Sequence, residues 1–514
     1  MGSWRFNSLP SLFMADSELT PRSLTLTVDE AFARAVAYHR SGMINDAERF
    51  YRAILSVRPG HIESIQKLDA LMERRAIDAF SAGRYTEAMS LAEQLAAQPA
   101  THAFGLKLLG TVYGRLGSHR EALETLGKAA QLLPSDAEIQ NSIGVTLIDI
   151  NRLHDAKEAF LRAVQLDPDY ASPYSNLGYV LNALGDRREA IESCRRALDL
   201  QPDFAMAMLN LGVALLGEAR YSEGWPFYER RDVLESVKVP DLPFPCWRGE
   251  SLNGRSLLLW PEQGFGDYVQ FIRYTSLLKR SGVSRLTVRC STALKDLLIT
   301  APDIDSLIGD ADPVPTHDYW TFPLSLPLLF GTTLETIPTE LPYLFTVPGR
   351  ISFWQGRLPR DGLRVGVAWK GNPNLRNDAN RSLPSLATLA PLWRVPGVSF
   401  VSLQKGAGEE EARSSELPII DAGSDIRDFA DTAAIVEQLD LVICVDTSVA
   451  HVAGALGKPC WVLLPAIGCD WRWLRDRSDS PWYPGVMRLF RQKRHGDWDS
   501  VIDDVAKALG ELAR

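Results

Sequence analysis

The sequence predicts an α superhelix of paired helices that runs into an α/β region of two doubly wound halves. Three observations carry that expectation. Gly110, Gly144, Gly178 and Gly212 recur every 34 residues, the period of a stacked helical hairpin. From Ser256 on, short β-branched runs alternate with helical stretches, the pattern of a parallel sheet covered on both faces. Two proline-bearing segments without periodicity, 237–254 and 342–362, punctuate the chain.

The chain has 514 residues, more than one ordinary domain holds. Hydrophobic content of 46% and charged content of 23% are those of a globular protein. A net charge of −9 argues against general binding to nucleic acid or anionic membrane. It leaves room for a local basic pocket. Six scattered cysteines, none in a CxxC pair, read as small core residues in a reducing compartment. No run approaches the ~20 apolar residues of a membrane span. The stretch MGSWRFNSLPSLFMADSEL has one arginine and no sustained apolar run, so residues 1–27 are expected to be a flexible tail rather than a signal peptide. Met14 is a second candidate start, and a cytoplasmic location is expected.

The repeats are assigned to 28–236. Pro134, Pro168 and Pro202 keep the same period as the glycines, as do Ala122, Ala156 and Ala190. A small residue is needed where two antiparallel helices touch, and a proline stops the second helix because it cannot continue the hydrogen-bond ladder. Ala35, Tyr38, Gly42, Ala47, Tyr51 and Pro59 fit an earlier repeat, and Ala76, Gly83 and Ala88 a degenerate one. Residues 205–236 begin a further repeat and diverge into EGWPFYERR. The total is about six, enough for a continuous core and a concave face that suits an extended partner. This spacing matches the tetratricopeptide (TPR) family.

Residues 237–254 read as a linker. The strands expected after it are SLLLW (256–260), LTVRC (286–290), RVGVAW (364–369), VSFVSL (398–403), LVICV (441–445) and CWVLL (460–464). They divide into two Rossmann-like halves, 255–347 and 363–514, joined by a linker at 348–362. The amphipathic terminal helix could cross back to the first half. Ligands of open parallel sheets bind beyond the carboxyl ends of the strands, so a cleft between the halves is the expected site.

Two strand-to-helix joints bear the polar groups. In LLLWPEQGFGDYVQFIRY (257–274), Gly264 and Gly266 allow a close backbone approach, and Asp267 opens a helix. Ionised by the helix dipole, Asp267 could accept a proton from an attacking hydroxyl; it could equally be an N-cap. In LDLVICVDTSVAHVAGALGKPCWVLLP (439–465), Asp446, Thr447, Ser448 and His451 surround a turn into a small-residue helix. The N–H groups of that turn form an anion site; the alternative is a capped helix with a core histidine. The polar loop 368–386 adds Lys370, Arg376 and Arg381, and Lys405 ends another strand on the same edge. Such cations suit a nucleotide diphosphate. Metal chemistry draws little support: Asp310 and Asp312 form a D-x-D in an acidic loop, without a His/Cys cluster, and no P-loop or GxSxG is present.

These joints resemble the GT-B glycosyltransferases, most closely the ADP-heptose transferase family. Gly266-Asp267 is similar to that family's GD step, whose aspartate is the proposed base on the acceptor hydroxyl. Asp446 to His451, continuing through Ala455, Leu456, Gly457, Lys458 and Pro459, is similar to its D-T-G-x-x-H-x-A-x-A-L-G-x-P stretch, which binds the donor's nucleotide and phosphates; serine stands where the family has glycine. Arg381-Ser382-Leu383-Pro384 is similar to a basic residue before a W-P step. The resemblance runs from Ser256 onward and implies an α/β GT-B fold that transfers a sugar from a nucleotide-sugar donor, without a metal or a further cofactor. TPR repeats fused to such a module also resemble O-GlcNAc transferases and flagellin glycosyltransferases, which implies a protein acceptor, flagellin among the possibilities, held on the concave face. Two other functions fit the sequence: a non-catalytic TPR adaptor with a degenerate transferase fold, and a transferase acting on glycolipid or polysaccharide.

Overall fold

The computed structural model describes residues 26–234, 236–375 and 377–514. The expected tail, but for its last two residues, and Arg376 lie outside them. The chain divides into two compact units, with the boundary after Pro168.

The first unit contains four helical hairpins: Val28–Arg40 with Ile44–Val57, Ile62–Ser81 with Tyr85–Ala96, His102–Arg115 with His119–Leu132, and Ala137–Asp149 with Leu153–Leu166. The periodic small residues sit where the helices touch. A Cβ on Gly144 would lie 2.5 Å from the Phe160 ring, and Ala47, Ala122 and Ala156 have no exposed surface. Helix starts are specified locally. Thr27 forms a reciprocal capping box with Glu30, and Asp136 caps the N–H groups of Glu138 and Ile139.

The second unit opens with two more hairpins, Ala171–Leu184 with Arg187–Leu200 and Ala205–Gly217 with Tyr221–Tyr228. The last two hairpins of the repeat run therefore belong to the compact unit that holds the α/β part. The divergent EGWPFYERR stretch supplies the cause. Trp225 meets Trp471 edge-on at 5.3 Å, Tyr221 packs on Trp482 at 6.1 Å, and the Trp225 indole donates to the Thr332 carbonyl at 2.8 Å. Arg231, with 2% of its surface exposed, forks onto Glu262 with contacts of 2.8 and 3.2 Å. The proline-rich 237–254 is not a free tether either. Val237, Phe244, Trp247 and Leu252 are buried, and the Trp247 N–H donates to the Trp320 carbonyl at 2.7 Å.

Among the described residues ten strands form two wholly parallel sheets. β1 (Ser256–Leu259), β2 (Arg285–Arg289), β3 (Ser306–Ile308) and β4 (Tyr319–Thr321) have the order β3-β2-β1-β4. β5 (Leu363–Ala368), β6 (Val398–Ser402), β7 (Ile419–Asp421), β8 (Leu441–Val445), β9 (Cys460–Leu464) and β10 (Met487–Arg491) have the order β10-β9-β8-β5-β6-β7. That is the dinucleotide-fold order, with its reversal at β5/β8. Val365 pairs with Phe400 on one side and Leu441 on the other. β8 and β9 are buried at every residue, as strands covered on both faces must be.

The connector 348–362 is structured as well: helix Pro348–Gln355 places Trp354 and Arg350 on Asp431, at 3.2 and 2.9 Å. The terminal helix, Trp498–Leu512, does not cross to the first half. Trp498, Val501, Ile502, Val505 and Leu509 pack in one core with Val365, Val367, Leu386 and Leu392 of the second sheet and its flanking segment. All six cysteines are free; burial pushes the Cys194 thiol up to about 12, in keeping with a core role.

Candidate functional site

The second sheet presents an open cleft of about 410 Å³ at the carboxyl ends of β5, β6 and β8. Its walls follow from three strand-to-loop joints. Lys370 follows β5; Gln404 and Lys405 follow β6; Thr447 and Ser448 follow β8. Gln404, 3% exposed, ties the first two joints. Its carbonyl accepts from the N–H groups of Trp369 and Lys370, both at 2.9 Å, and its amide donates to the Ala407 carbonyl at 2.8 Å.

Of the residues singled out in the sequence, four line this cleft: Lys370, Lys405, Thr447 and Ser448. Lys370 Nζ donates to the Pro384 carbonyl at 2.8 Å and lies 3.6 Å from Glu411. Lys405 Nζ lies 3.2 Å from Glu409. Helix Ser448–Ala455 begins at Thr447, whose side chain makes no cap hydrogen bond, so its leading N–H groups are available to an anion.

The other predicted residues face elsewhere. His451 is 2% exposed. Its Nδ1 lies 2.9 Å from the Tyr483 hydroxyl, and its ring stacks on Trp473 at 5.6 Å. The close approach offered by Gly266 is to this histidine, not to a ligand: a Cβ there would sit 2.7 Å from His451 Cδ2 and 3.4 Å from the Ser448 Cα. The two sequence joints thus meet, helix Phe265–Phe271 against helix Ser448–Ala455. Gly264 is the N-cap of the former. Asp267 has one carboxylate oxygen in each of two contacts: Oδ2 accepts from the Gly264 N–H at 3.1 Å, closing the cap, and Oδ1 takes Arg472 Nη2 at 2.6 Å. Arg381 pairs with Asp378 at 3.2 Å. Burial pushes the Asp446 carboxyl up and Asp470 adds to it, against the pull of Arg381 and Arg472. Asp312 caps its own loop through the Gly309 N–H at 2.7 Å and lies 3.7 Å from Lys295. Among the described residues no three His, Cys, Asp or Glu converge as a metal site.

Several wall residues carry no motif. Phe265 comes from the first half and meets Phe429 at 5.2 Å. Arg427 and Asp428 also line the cleft, and Asp428 caps helix Phe429–Glu437. Asp431 anchors them: burial pushes its carboxyl up, but hydrogen bonds from Arg427 and Trp354 and the charge of Arg350 bring it below its ordinary value. Arg472, 6% exposed, is held in place by Asp267 and Asp470.

The buried imidazole has a measurable consequence. Burial, reinforced by Arg472 and Arg273, holds His451 well below its ordinary value, so the folded ring stays neutral where the unfolded one takes a proton. Stability is then complete above about pH 6.5 and falls as pH drops below it, by about 1.4 kcal/mol per pH unit. Urea unfolding between pH 5 and 8 is expected to show this slope in the wild type and to lose that share of it in His451→Phe.

Tetratricopeptide-repeat family models match residues 107–171 and 171–204. Protein FlbA of Caulobacter vibrioides is 29% identical over 327 residues, a match that covers 58% of this chain and 54% of FlbA. The chain thus spans about half the length of that relative. Residues before Ser256 make up about half of this chain, so the match reaches into the α/β part. Among solved structures, MamA is 24% identical, covering 30% of this chain and 91% of its own, with a TM-score of 0.27. A thermophilic TPR protein of Thermus thermophilus is 22% identical, covering 32% and 90%, with a TM-score of 0.29. The chain carries TPR repeats followed by a parallel α/β region, and among its described residues no helix is long and apolar enough to cross a membrane.

Proposed function

We propose that the chain is a glycosyltransferase of GT-B type that moves a sugar from a nucleotide-sugar donor to a protein recruited by its TPR repeats. One observation carries the reading. An open cleft lies where the strand order of the second sheet reverses, bordered by the uncapped start of helix Ser448–Ala455 and by Lys370 and Lys405. A diphosphate placed there takes backbone N–H groups and the Thr447 and Ser448 hydroxyls, with the two ammonium groups balancing charge as the leaving group departs. Its volume suits a nucleoside with a sugar. Phe265 brings the first half to the same cleft, and Asp267, two residues on, is the group that would take the acceptor's proton. TPR repeats are a binding module for extended chains, which favours a protein over a lipid acceptor.

The adaptor reading has one observation in its favour: both Asp267 oxygens are engaged, by Arg472 and by the Gly264 N–H. For catalysis the Arg472 contact has to yield on acceptor binding.

Calorimetric titration of the full chain with a panel of nucleotide sugars tests the donor site. One donor class is expected to bind one molecule per chain. Ser448→Glu sets a carboxylate where the phosphates would lie and is expected to cut that affinity about tenfold or more, roughly 1.4 kcal/mol, with the melting temperature unchanged. Equal affinity in the variant would remove the cleft from consideration.

A further inference from the structure

A second, smaller cavity lies apart from the cleft and shares no wall residue with it. It sits between the turn of the hairpin Ala171–Leu184/Arg187–Leu200 and the carboxyl ends of β9 and β10, and encloses about 60 Å³. Arg187, Arg475 and Arg491 converge on it, with Gln492 and Lys493 beside them. Each arginine is anchored by neutral oxygens. Arg187 Nη1 donates to the Gly217 carbonyl at 2.6 Å, Arg475 Nη1 to the Leu184 carbonyl at 3.3 Å, and Arg491 Nη2 to the Trp473 carbonyl at 2.5 Å. Among the described residues none of the three forms an ion pair. Burial holds the Arg187 guanidinium below its ordinary value; the Cys469 thiol in the cavity wall and the exposed Glu218 pull it up, and Arg491 and Arg475 push it further down.

Three guanidinium charges facing one small cavity whose wall holds no carboxylate is an arrangement that folding alone disfavours. Donors are also left over. Arg187 is 5% exposed and Gln492 6% exposed, yet Arg187 Nε, Arg491 Nε and Gln492 Nε2 are buried without an acceptor. Such groups are rare unless something supplies the acceptor. The backbone is shaped to bring one of the arginines in: Arg475 Nη1 lies 1.3 Å from where a Cβ on Gly185 would be, and Gly185 has a φ of +91°.

We propose that this cavity is a binding site for one tetrahedral oxyanion, a phosphate or sulfate group, which joins the Arg187 hairpin to the ends of β9 and β10. A water needs about 10–15 Å³ of such space, so the cavity holds roughly five non-hydrogen atoms, the number in phosphate. The unused N–H groups then find acceptors, and the anion offsets the mutual repulsion of the arginines through charge-assisted bonds. The phosphate could be free or the phosphoryl end of a larger molecule.

Equilibrium dialysis of the full chain against radiolabelled inorganic phosphate, in chloride buffer of fixed ionic strength, tests the site. One phosphate per chain is expected to bind and to be displaced by sulfate. A nucleoside diphosphate that displaces it equally well identifies the ligand as a phosphoryl end; one that leaves it in place identifies the free anion. Arg187→Gln and Arg475→Gln are each expected to weaken binding about tenfold or more. Arg475 is exposed, so its variant decides the matter should Arg187→Gln fail to fold. No phosphate bound at millimolar concentration, or binding that Arg475→Gln leaves unchanged, overturns the proposal.

Discussion

Arg231→Met is expected to destabilise the protein by about 3–5 kcal/mol, the cost of breaking a buried ion pair from one side. Glu262, whose side chain has no exposed surface, would keep only the Leu324 N–H at 2.9 Å. Arg231 also holds Ser325 Oγ at 2.7 Å, Glu229 Oε1 at 2.6 Å and the Tyr228 carbonyl at 3.4 Å, so four partners lose a donor at once. Burial already pushes the Glu262 carboxyl up against the pull of Arg231, and without that arginine it rises further. A carboxyl raised on folding favours the folded state below its unfolded value and loses that advantage as pH rises. The defect is therefore expected to be smaller near pH 4.5 than near pH 7.5. Arg231→Met with Glu262→Leu is expected to recover most of the loss, because removing both charges removes the desolvation cost of both. Denaturant unfolding of the three variants reads this directly; a single-variant loss below about 1 kcal/mol would mean that water reaches the pair.

The second large effect is on chemistry. Asp267→Asn keeps the shape of the cap but cannot accept a proton. Under the proposed mechanism the variant binds donor and acceptor normally and transfers sugar about 10²–10⁴ times more slowly. It also leaves Arg472 with Asp470 as its remaining carboxylate contact, so some stability is lost as well. The two losses separate the roles: a variant with lowered stability and normal transfer would make Asp267 a structural cap and counter-ion for Arg472 and nothing more.

The repeat was legible because one geometric demand recurs. Wherever the two helices of a hairpin touch, as at Gly144 on Phe160 or Gly178 on Cys194, only a small residue fits, and that demand prints a period on the sequence. The strands LVICV and CWVLL were legible because both faces are covered and every residue is apolar. β3, β4, β7 and β10 were not read: three of them span only three residues, and Met487–Arg491 is an edge strand whose two arginines break its apolar run. In the site, the cleft-lining Lys370, Lys405, Thr447 and Ser448 follow strand ends, which the strand pattern locates. His451 was placed on the correct helix but turned the other way, since three residues beyond Ser448 can face either the cleft or the neighbouring helix, and Gly266 decides for the latter. Arg472 and Asp470 left no trace in the sequence because they sit on a single 3-10 turn, Trp471–Trp473 with Asp470 as its N-cap, too short to print a period. Their meaning comes from Asp267, which lies 205 positions away along the chain. The boundary after Pro168 was likewise hidden, for the period continues through it unchanged while Trp225 and Tyr221 join the aromatic cluster of Trp471 and Trp482.

The central claim is sugar transfer to a protein, and the most direct measurement is transfer itself. The full chain is incubated with the labelled nucleotide sugar that it binds, together with candidate protein acceptors, in the presence of EDTA. Label is expected to appear covalently on a protein, at a rate that Asp267→Asn lowers by the factor given above. Label that reaches no protein with any donor, in a chain that still binds the donor, would contradict the account and leave the adaptor as the better description.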